Sequence, residues 1–402
     1  STPSDPWHPG FTAMAFLNAR AAGIFVATSA GNSGPNGGSM GAPGNAPWIT
    51  AVGSATHDRL FSSLVRQLSG GATAPPVEWL GASFTDGISI RPIVHARDFG
   101  NALCGVGEAE LQPDCDSNTG ASNPFGANTF NGEIVVCDRG EYGRVEKGKN
   151  LMLAGAGGYI LANTDAQGES IIADDHCLPA THIGATAGDE LRAWLATGSG
   201  HQGSISGLLV LHRDSVADRI ASFSSRGPNL PPAEDVLKPD VIAPGISILA
   251  AYVPDAGSYA FLSGTSMASP HVTGAAALIK AVHPDWTPAM IASAIAMTAT
   301  PALASDFDGS QATPHKRGAG RPRLGLAVNA ALYVNVTESD FLAADPRQGG
   351  DPRSLNLPGM VDAVCRNNCS FSRTVTDLAG GANWNADAVG FPAGVAVSIS
   401  PS

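Results

Sequence analysis

A serine at the mouth of a helix can attack a carbonyl carbon, and Ser263-Gly264-Thr265-Ser266-Met267-Ala268-Ser269-Pro270-His271 reads as such an arrangement. A glycine-containing turn opens directly into a helix of small residues, with Ser266 at its start. There the hydroxyl is exposed, its own N–H points towards a reacting carbonyl, and the helix dipole favours the negative charge that develops on oxygen. The chemistry implied is acyl transfer with Ser266 as nucleophile. A second polar loop, Ser29-Ala30-Gly31-Asn32, follows an apolar run and carries an amide that could donate to that oxygen. On its own, an Asn between Gly and Ser is an ordinary turn residue. Likewise, a Ser before an Ala-rich helix is ordinarily an N-cap.

Context decides between these readings. From Gly264 to Gly274 the chain resembles the nucleophile motif of the subtilisin family, G-T-S-M-[AS]-x-P-[HY]-[VA]-[AS]-G, almost without a gap. The Ser29–Asn32 loop is similar to that family's S-A-G-N segment. The resemblance implies that Ser266 attacks and that the Asn32 side chain donates to the oxyanion. It also implies that Ser29, Ala30 and Gly31, with Gly264 and Thr265, line the substrate site. Ala221-Ser222-Phe223-Ser224-Ser225-Arg226-Gly227-Pro228 and Leu237-Lys238-Pro239-Asp240-Val241-Ile242-Ala243-Pro244-Gly245 look like core signatures of the larger, plant-type subtilases. They read as structural residues beneath the site. A loose G-x-S-x-[GA] match would also fit an ester-cleaving α/β-hydrolase, but His283 and His315 offer no suitable downstream context and Asn32 would have no role.

A serine nucleophile needs a base, and the base an orienting carboxylate; subtilisins supply them in the chain order Asp, His, Ser. Both are therefore expected before Asn32. Neither a D-[ST]-G nor an H-G-T-H segment occurs in the chain. His271, five residues after Ser266 on the same helix, is turned away from the hydroxyl. The expectation is a truncated piece of a secreted serine endopeptidase, inactive alone, whose parent hydrolyses peptide bonds in proteins. The alternative, from another class, is a non-catalytic scaffold that binds peptides or partners; intact or substituted triad residues upstream would discriminate the two.

Several elements must position these residues. Phe11, Met14, Leu17 and Ala21 fall at helical spacing over 11–22, Gly23 stops the pattern, and Ile24–Ala27 reads as a buried strand. Pro47–Gly53 supplies a second strand, which suggests an α/β sheet. From about Arg91 to His212 the texture changes: short β-rich pieces at 133–137 and 157–161 flank a helical stretch from Arg144 to Ala154. Gly132–Gly140 and Leu178–Thr181 resemble a protease-associated domain inserted into the core. The cluster Gly155-Ala156-Gly157-Gly158 follows a helix and precedes a strand, the reverse of the dinucleotide-binding order, so it reads as a helix C-cap. The first texture returns with a strand at Val241–Ala243, a helix at Val272–Val282, and Thr287-Pro288 as N-cap and first residue of another. Beyond Val336, β signals at Phe371–Val375 and Gly394–Ile399 look like the start of a fibronectin type III-like β-sandwich.

The expected fold is thus α/β: an incomplete three-layer, parallel-sheet subtilisin-like core over 1–90 and 214–335. The β-rich insertion is expected at 91–213 and the sandwich start at 336–402. With 43% hydrophobic and 14% charged residues in 402, a sizeable core is available. A formal charge of −12 leaves no basic stripe for phosphates, so nucleic acid is excluded as a partner. No apolar stretch approaches the ~20 residues needed to span a bilayer. Six cysteines at spacings unlike paired metal signatures are consistent with disulfides of undetermined connectivity, or with buried thiols. No metal or cofactor is implied; the expected partners are protein or peptide substrates.

Overall fold

The structure, a computed structural model, describes residues 5–8, 12–107, 115, 123–253, 259–301, 305–378, 380–391 and 394–400. Helix α1 (Thr12–Ala21) buries Ala13 and Leu17 against Trp48 and Ile49, and Trp48 Nε1 donates to the Ala13 carbonyl at 2.7 Å. Phe11 lies outside the described residues. Strand β1 (Ala27–Ser29) begins where the strand expected over 24–27 was to end. The reason is the helix stop: Gly23 takes a positive φ of 91°, and Ile24 N–H folds back onto the Ala19 carbonyl. This closure uses the backbone of residues 23 and 24 to satisfy helix carbonyls, so it cannot join a ladder. Strand β2 (Thr50–Ala55), buried throughout, runs parallel to β1 with Ala27 opposite Thr50.

The chain then leaves this sheet for another. Strands β3 (Arg59–Ser69), β4 (Trp79–Ala82), β5 (Ile88–His95) and β6 (Ile134–Asp138) lead to helix α2 (Arg144–Leu153) and strand β7 (Gly158–Ala162). Strand β8 (Ala180–Ile183), helix α3 (Ala185–Leu195), β9 (Gln202–Ile205) and β10 (Leu209–His212) complete the unit. The eight strands are ordered β10-β3-β4-β8-β7-β6-β5-β9, and β3 also pairs with β9, which closes the sheet on itself. Val65, Ile93, Ile134, Val136, Ile160 and Trp194 pack in one core of this unit. The boundary expected at residue 91 therefore falls inside β5, and the change of sheet lies between Ala55 and Arg59. Half-buried β3 carries mixed polarity and β4 is a short run of four residues, so only their partners reveal which sheet they join. Gly155, at φ 93°, ends α2, and Ala156 N–H returns to the Leu151 carbonyl, a helix cap. Disulfides join Cys104 to Cys137 and Cys115 to Cys177 within this unit, and Cys365 to Cys369 near the chain's end.

Strand β11 (Val241–Pro244) returns to the first sheet, parallel to β2 with Val241 opposite Val52, giving the order β1-β2-β11. A hairpin, β12 (Ile248–Ala251) and β13 (Tyr259–Leu262), precedes helix α4 (Thr265–Val282). Ala268, Val272, Ala276 and Ile279 recur at helical spacing along α4 and pack against Val52, Val241 and Ala243 of the sheet. Helix α5 (Pro288–Met297) starts with Thr287 as N-cap, its hydroxyl accepting from Met290 N–H, and Pro288 at the first position. Short helices α6 (Pro314–Arg317) and α7 (Leu324–Ala327), strand β14 (Leu332–Val334) and helix α8 (Glu338–Ala343) follow. Of the expected β-sandwich, the described residues after 336 hold one strand, β15 (Val375–Asp377), paired antiparallel with β14. Residues 394–399 form no strand. Their alternating apolar residues are exposed, and a strand without a neighbour has no ladder to hold it.

Candidate active site

The carboxyl ends of β1 and β11 and the amino end of α4 meet. Beyond β1, Ala30 N–H continues the ladder onto the Val52 carbonyl at 3.0 Å. Beyond β11, Gly264 N–H donates to the Gly245 carbonyl at 2.8 Å. A Cβ on Gly245 would lie 2.7 Å from the Gly264 carbonyl oxygen and 2.4 Å from Ser54 Oγ, so glycine alone lets the two turns approach. The crevice at the carboxyl ends of parallel strands is where open α/β sheets present their ligands.

Within this crevice, Asn32 Oδ1 accepts two hydrogen bonds from Thr265: from its N–H at 3.0 Å and from its hydroxyl at 2.8 Å. The same hydroxyl accepts from Gly31 N–H at 3.2 Å, and Thr265 is fully buried. With the amide oxygen committed, the Asn32 NH2 group is the end left to donate. A Cβ built on Gly264 would be 3.5 Å from Asn32 Nδ2 and 3.7 Å from Ser266 N, so both nitrogens flank one spot beside Gly264. Ser266, in the first turn of α4, is exposed there. The structure thus brings Gly31, Asn32, Gly264, Thr265 and Ser266 together, while Ser29 and Ala30 approach from β1. Thr265 as the clamp on Asn32 was missed as more than a lining residue; no local signal marks a threonine as the partner of an amide 233 residues away.

The loop is held from below by Ser222–Ser225. Gly34 N–H donates to the Phe223 carbonyl and Ser225 N–H to the Gly31 carbonyl, each at 2.8 Å; Ser33 N–H reaches Ser225 Oγ at 3.1 Å. Ser224 Oγ accepts from Ser54 N–H in β2 at 3.0 Å, tying the same segment to the sheet. Deeper still, buried Lys238 Nζ donates to the Ile49 carbonyl at 2.5 Å and to Asp240 Oδ2 at 2.6 Å. That carboxylate also accepts from Ala51 N–H at 2.7 Å. Burial pushes the Lys238 ammonium down and the Asp240 carboxyl up, and the attraction between them opposes both shifts.

The histidines have other partners. His271 Nδ1 bonds the Met267 carbonyl of its own helix at 2.8 Å, and His283 Nε2 bonds the Val328 carbonyl at 2.7 Å while stacking on Trp286. His95 with Asp138 and His212 with Asp58, each at 3.3 Å, belong to the eight-stranded unit. Among the described residues no histidine hydrogen-bonds the Ser266 hydroxyl.

A serine at a helix mouth beside an oriented amide thus lies at the carboxyl edge of a parallel sheet. Residues 2–320 match the subtilase family, Peptidase S8, and the chain belongs to that family. It is similar to Arabidopsis thaliana subtilisin-like protease SBT1.7, with 35% identity over 445 aligned residues covering 99% of this chain and 56% of the relative. It is also similar to SBT1.6 of the same plant, 36% identical with 90% and 47% covered, and to SBT1.4, 37% identical with 84% and 43% covered. The chain spans about half the length of these curated relatives. No described helix is long and apolar enough to cross a membrane.

Proposed function

We propose that the protein carrying this chain is a secreted serine endopeptidase that hydrolyses peptide bonds in proteins. Ser266 Oγ attacks the scissile carbonyl, and the oxyanion is held between the Ser266 N–H and the Asn32 NH2 group. Ser29, Ala30 and Gly31, with Gly264 and Thr265, flank the bound peptide. The observation that carries this reading is the double hydrogen bond from Thr265 to Asn32 Oδ1, which turns the amide nitrogen towards the mouth of α4. An oriented donor costs no reorganisation at the moment of reaction; removing one costs about 2.7–4 kcal/mol of transition-state stabilisation, a magnitude that itself comes from a subtilisin. The base and its orienting carboxylate are supplied by other residues of the complete protein, and residues 1–402 alone do not turn over. The eight-stranded unit is a protease-associated domain that governs peptide access or assembly. Three disulfides favour an oxidising compartment outside the cell.

The test is cleavage of an unstructured protein by the complete gene product, by its Ser266→Ala variant and by residues 1–402. Activity in the first alone supports the assignment. Ser266-dependent cleavage by residues 1–402 would show that the base lies within them. An inactive complete protein with substituted upstream triad residues would leave the scaffold reading.

A further inference from the structure

A cavity of about 140 Å³ opens between the eight-stranded unit and the segment after β11, and Ser266 is not among its lining residues. Its floor is apolar: Leu60 and Leu80 come from the eight-stranded unit, Ile220 and Ile246 from the core side. Its polar lining is unbalanced, with Arg59, Arg213 and Arg219 against the single carboxylate of Glu169. Glu169 Oε1 is already engaged by the Thr186 N–H at 2.9 Å and hydroxyl at 2.8 Å. Arg219 Nε, by contrast, is buried with no hydrogen-bond partner among the described residues. A buried guanidinium nitrogen left unsatisfied is costly, and a carboxylate is the group that relieves it best. In a chain of formal charge −12, three arginines around one apolar pocket are a local reversal of sign.

We propose that this junction cleft binds the carboxyl terminus of a peptide, with the carboxylate on Arg219 and an aliphatic last side chain on the apolar floor. Two features favour a peptide end over a fatty acid. The cavity is well below the ~300 Å³ at which drug-sized ligand pockets begin, so it suits one side chain rather than a long acyl tail. Buried Ser170 and Ser247 also bring hydroxyl groups to the wall, as an amide-bearing ligand requires. Ser247 N–H donates to Ser263 Oγ at 2.9 Å, so the wall of the cleft is one hydrogen bond from the turn that carries Ser266. Binding itself requires no proteolysis and stands apart from the catalytic assignment.

Calorimetric titration of residues 1–402 with N-acetylleucine, N-acetylleucinamide and hexanoate tests the proposal. N-acetylleucine should bind at least roughly tenfold more tightly than its amide, as expected for loss of a charge-assisted contact, and Arg219→Gln should abolish most of that difference. Circular dichroism melting checks that the variant folds; if it does not, Arg213→Gln, an exposed position, should weaken N-acetylleucine about threefold without affecting the amide. Equal affinity for acid and amide, no binding of N-acetylleucine at about 10 mM, or no effect of the folded arginine variant would overturn the site. Binding of hexanoate in preference to N-acetylleucine would overturn the peptide end as its occupant.

Discussion

At the scale of single residues, hydrogen-bond bookkeeping fixes states that residue type leaves open. Asn163 Nδ2 donates to the Gly168 and Ser170 carbonyls at 2.9 Å each, so its Oδ1 must accept, and His182 Nε2 at 2.7 Å must donate to it. His182 Nδ1 faces both the Ile172 N–H at 3.0 Å and the Ile172 carbonyl at 3.1 Å; burial keeps the ring neutral, so Nδ1 accepts from the N–H. Burial pushes His182 well down, and pushes His176 down to about 4 against the pull of Asp174. Both folded values lie below the unfolded ~6.5, so the unfolded chain takes up these protons first; the stability is complete above ~6.5 and is lost as pH falls towards 4. Melting temperature should fall across that window, each histidine contributing a slope approaching ~1.4 kcal/mol per pH unit. His176→Phe should flatten the profile, because Nδ1 of His176 is buried without a partner and its ring already packs edge-on against Tyr159. Asp174 acts in a lower window: burial raises it, but Arg144 overrides this and holds it at about 2. At the active site, Thr265→Val keeps the N–H to Asn32 and removes the hydroxyl bridge to Gly31. On the proposed function, in the complete protein it should lower kcat about tenfold with little change in KM, while Thr265→Ser retains activity. A tenfold rise in KM alone would assign the hydroxyl to ground-state binding.

At the scale of elements, the loop carrying Asn32 packs closely on another segment that fills the space beneath it. A Cβ on Gly34 would stand 2.4 Å from the Ser224 carbonyl oxygen and 2.5 Å from that of Ser222. Gly34→Ala should therefore cost about 1–3 kcal/mol or more in urea unfolding and displace the loop that carries Asn32, whereas Gly41→Ala, with open space around it, serves as the control. Equal midpoints for the two variants would mean that the contact yields freely. The elements themselves were unevenly legible. Helix α4 and the Thr287 cap of α5 follow from spacing and capping chemistry within a few neighbouring residues. Strand β1 was placed too early because a helix-closing turn used its first residues. Strands β3 and β4 were not assigned to the insertion, since apart from each other their partners lie 100 residues or more away, in β8, β9 and β10.

At the scale of the whole molecule, the eight-stranded unit is joined to the β12–β13 hairpin by an aromatic cluster close to the turn that carries Ser266. Phe84 stacks on Phe261 at 4.2 Å between centroids, and Phe61 meets Phe261 at 4.8 Å and Phe84 at 5.0 Å. Phe261 belongs to the hairpin that runs into Ser263, whereas Phe61 and Phe84 belong to the eight-stranded unit and the segment after β4. Phe261→Ala should destabilise by about 2 kcal/mol, with Phe261→Leu costing less, and hydrogen exchange should speed up in β12 and β13 while β6 and β7 stay protected. Uniform loss of protection would mean that the hairpin and the eight-stranded unit unfold as one. The amino-acid sequence by itself determined the family, because the turn, the small-residue helix and the serine form one short contiguous run. It also determined the main helices, whose periodicity and caps are properties of near neighbours. Only the tertiary structure decided which cysteines pair, where one sheet gives way to the other, what holds Asn32, and that arginines gather around a junction cleft. Those outcomes depend on contacts between residues tens to hundreds apart, and composition and spacing carry no record of which distant surfaces will meet.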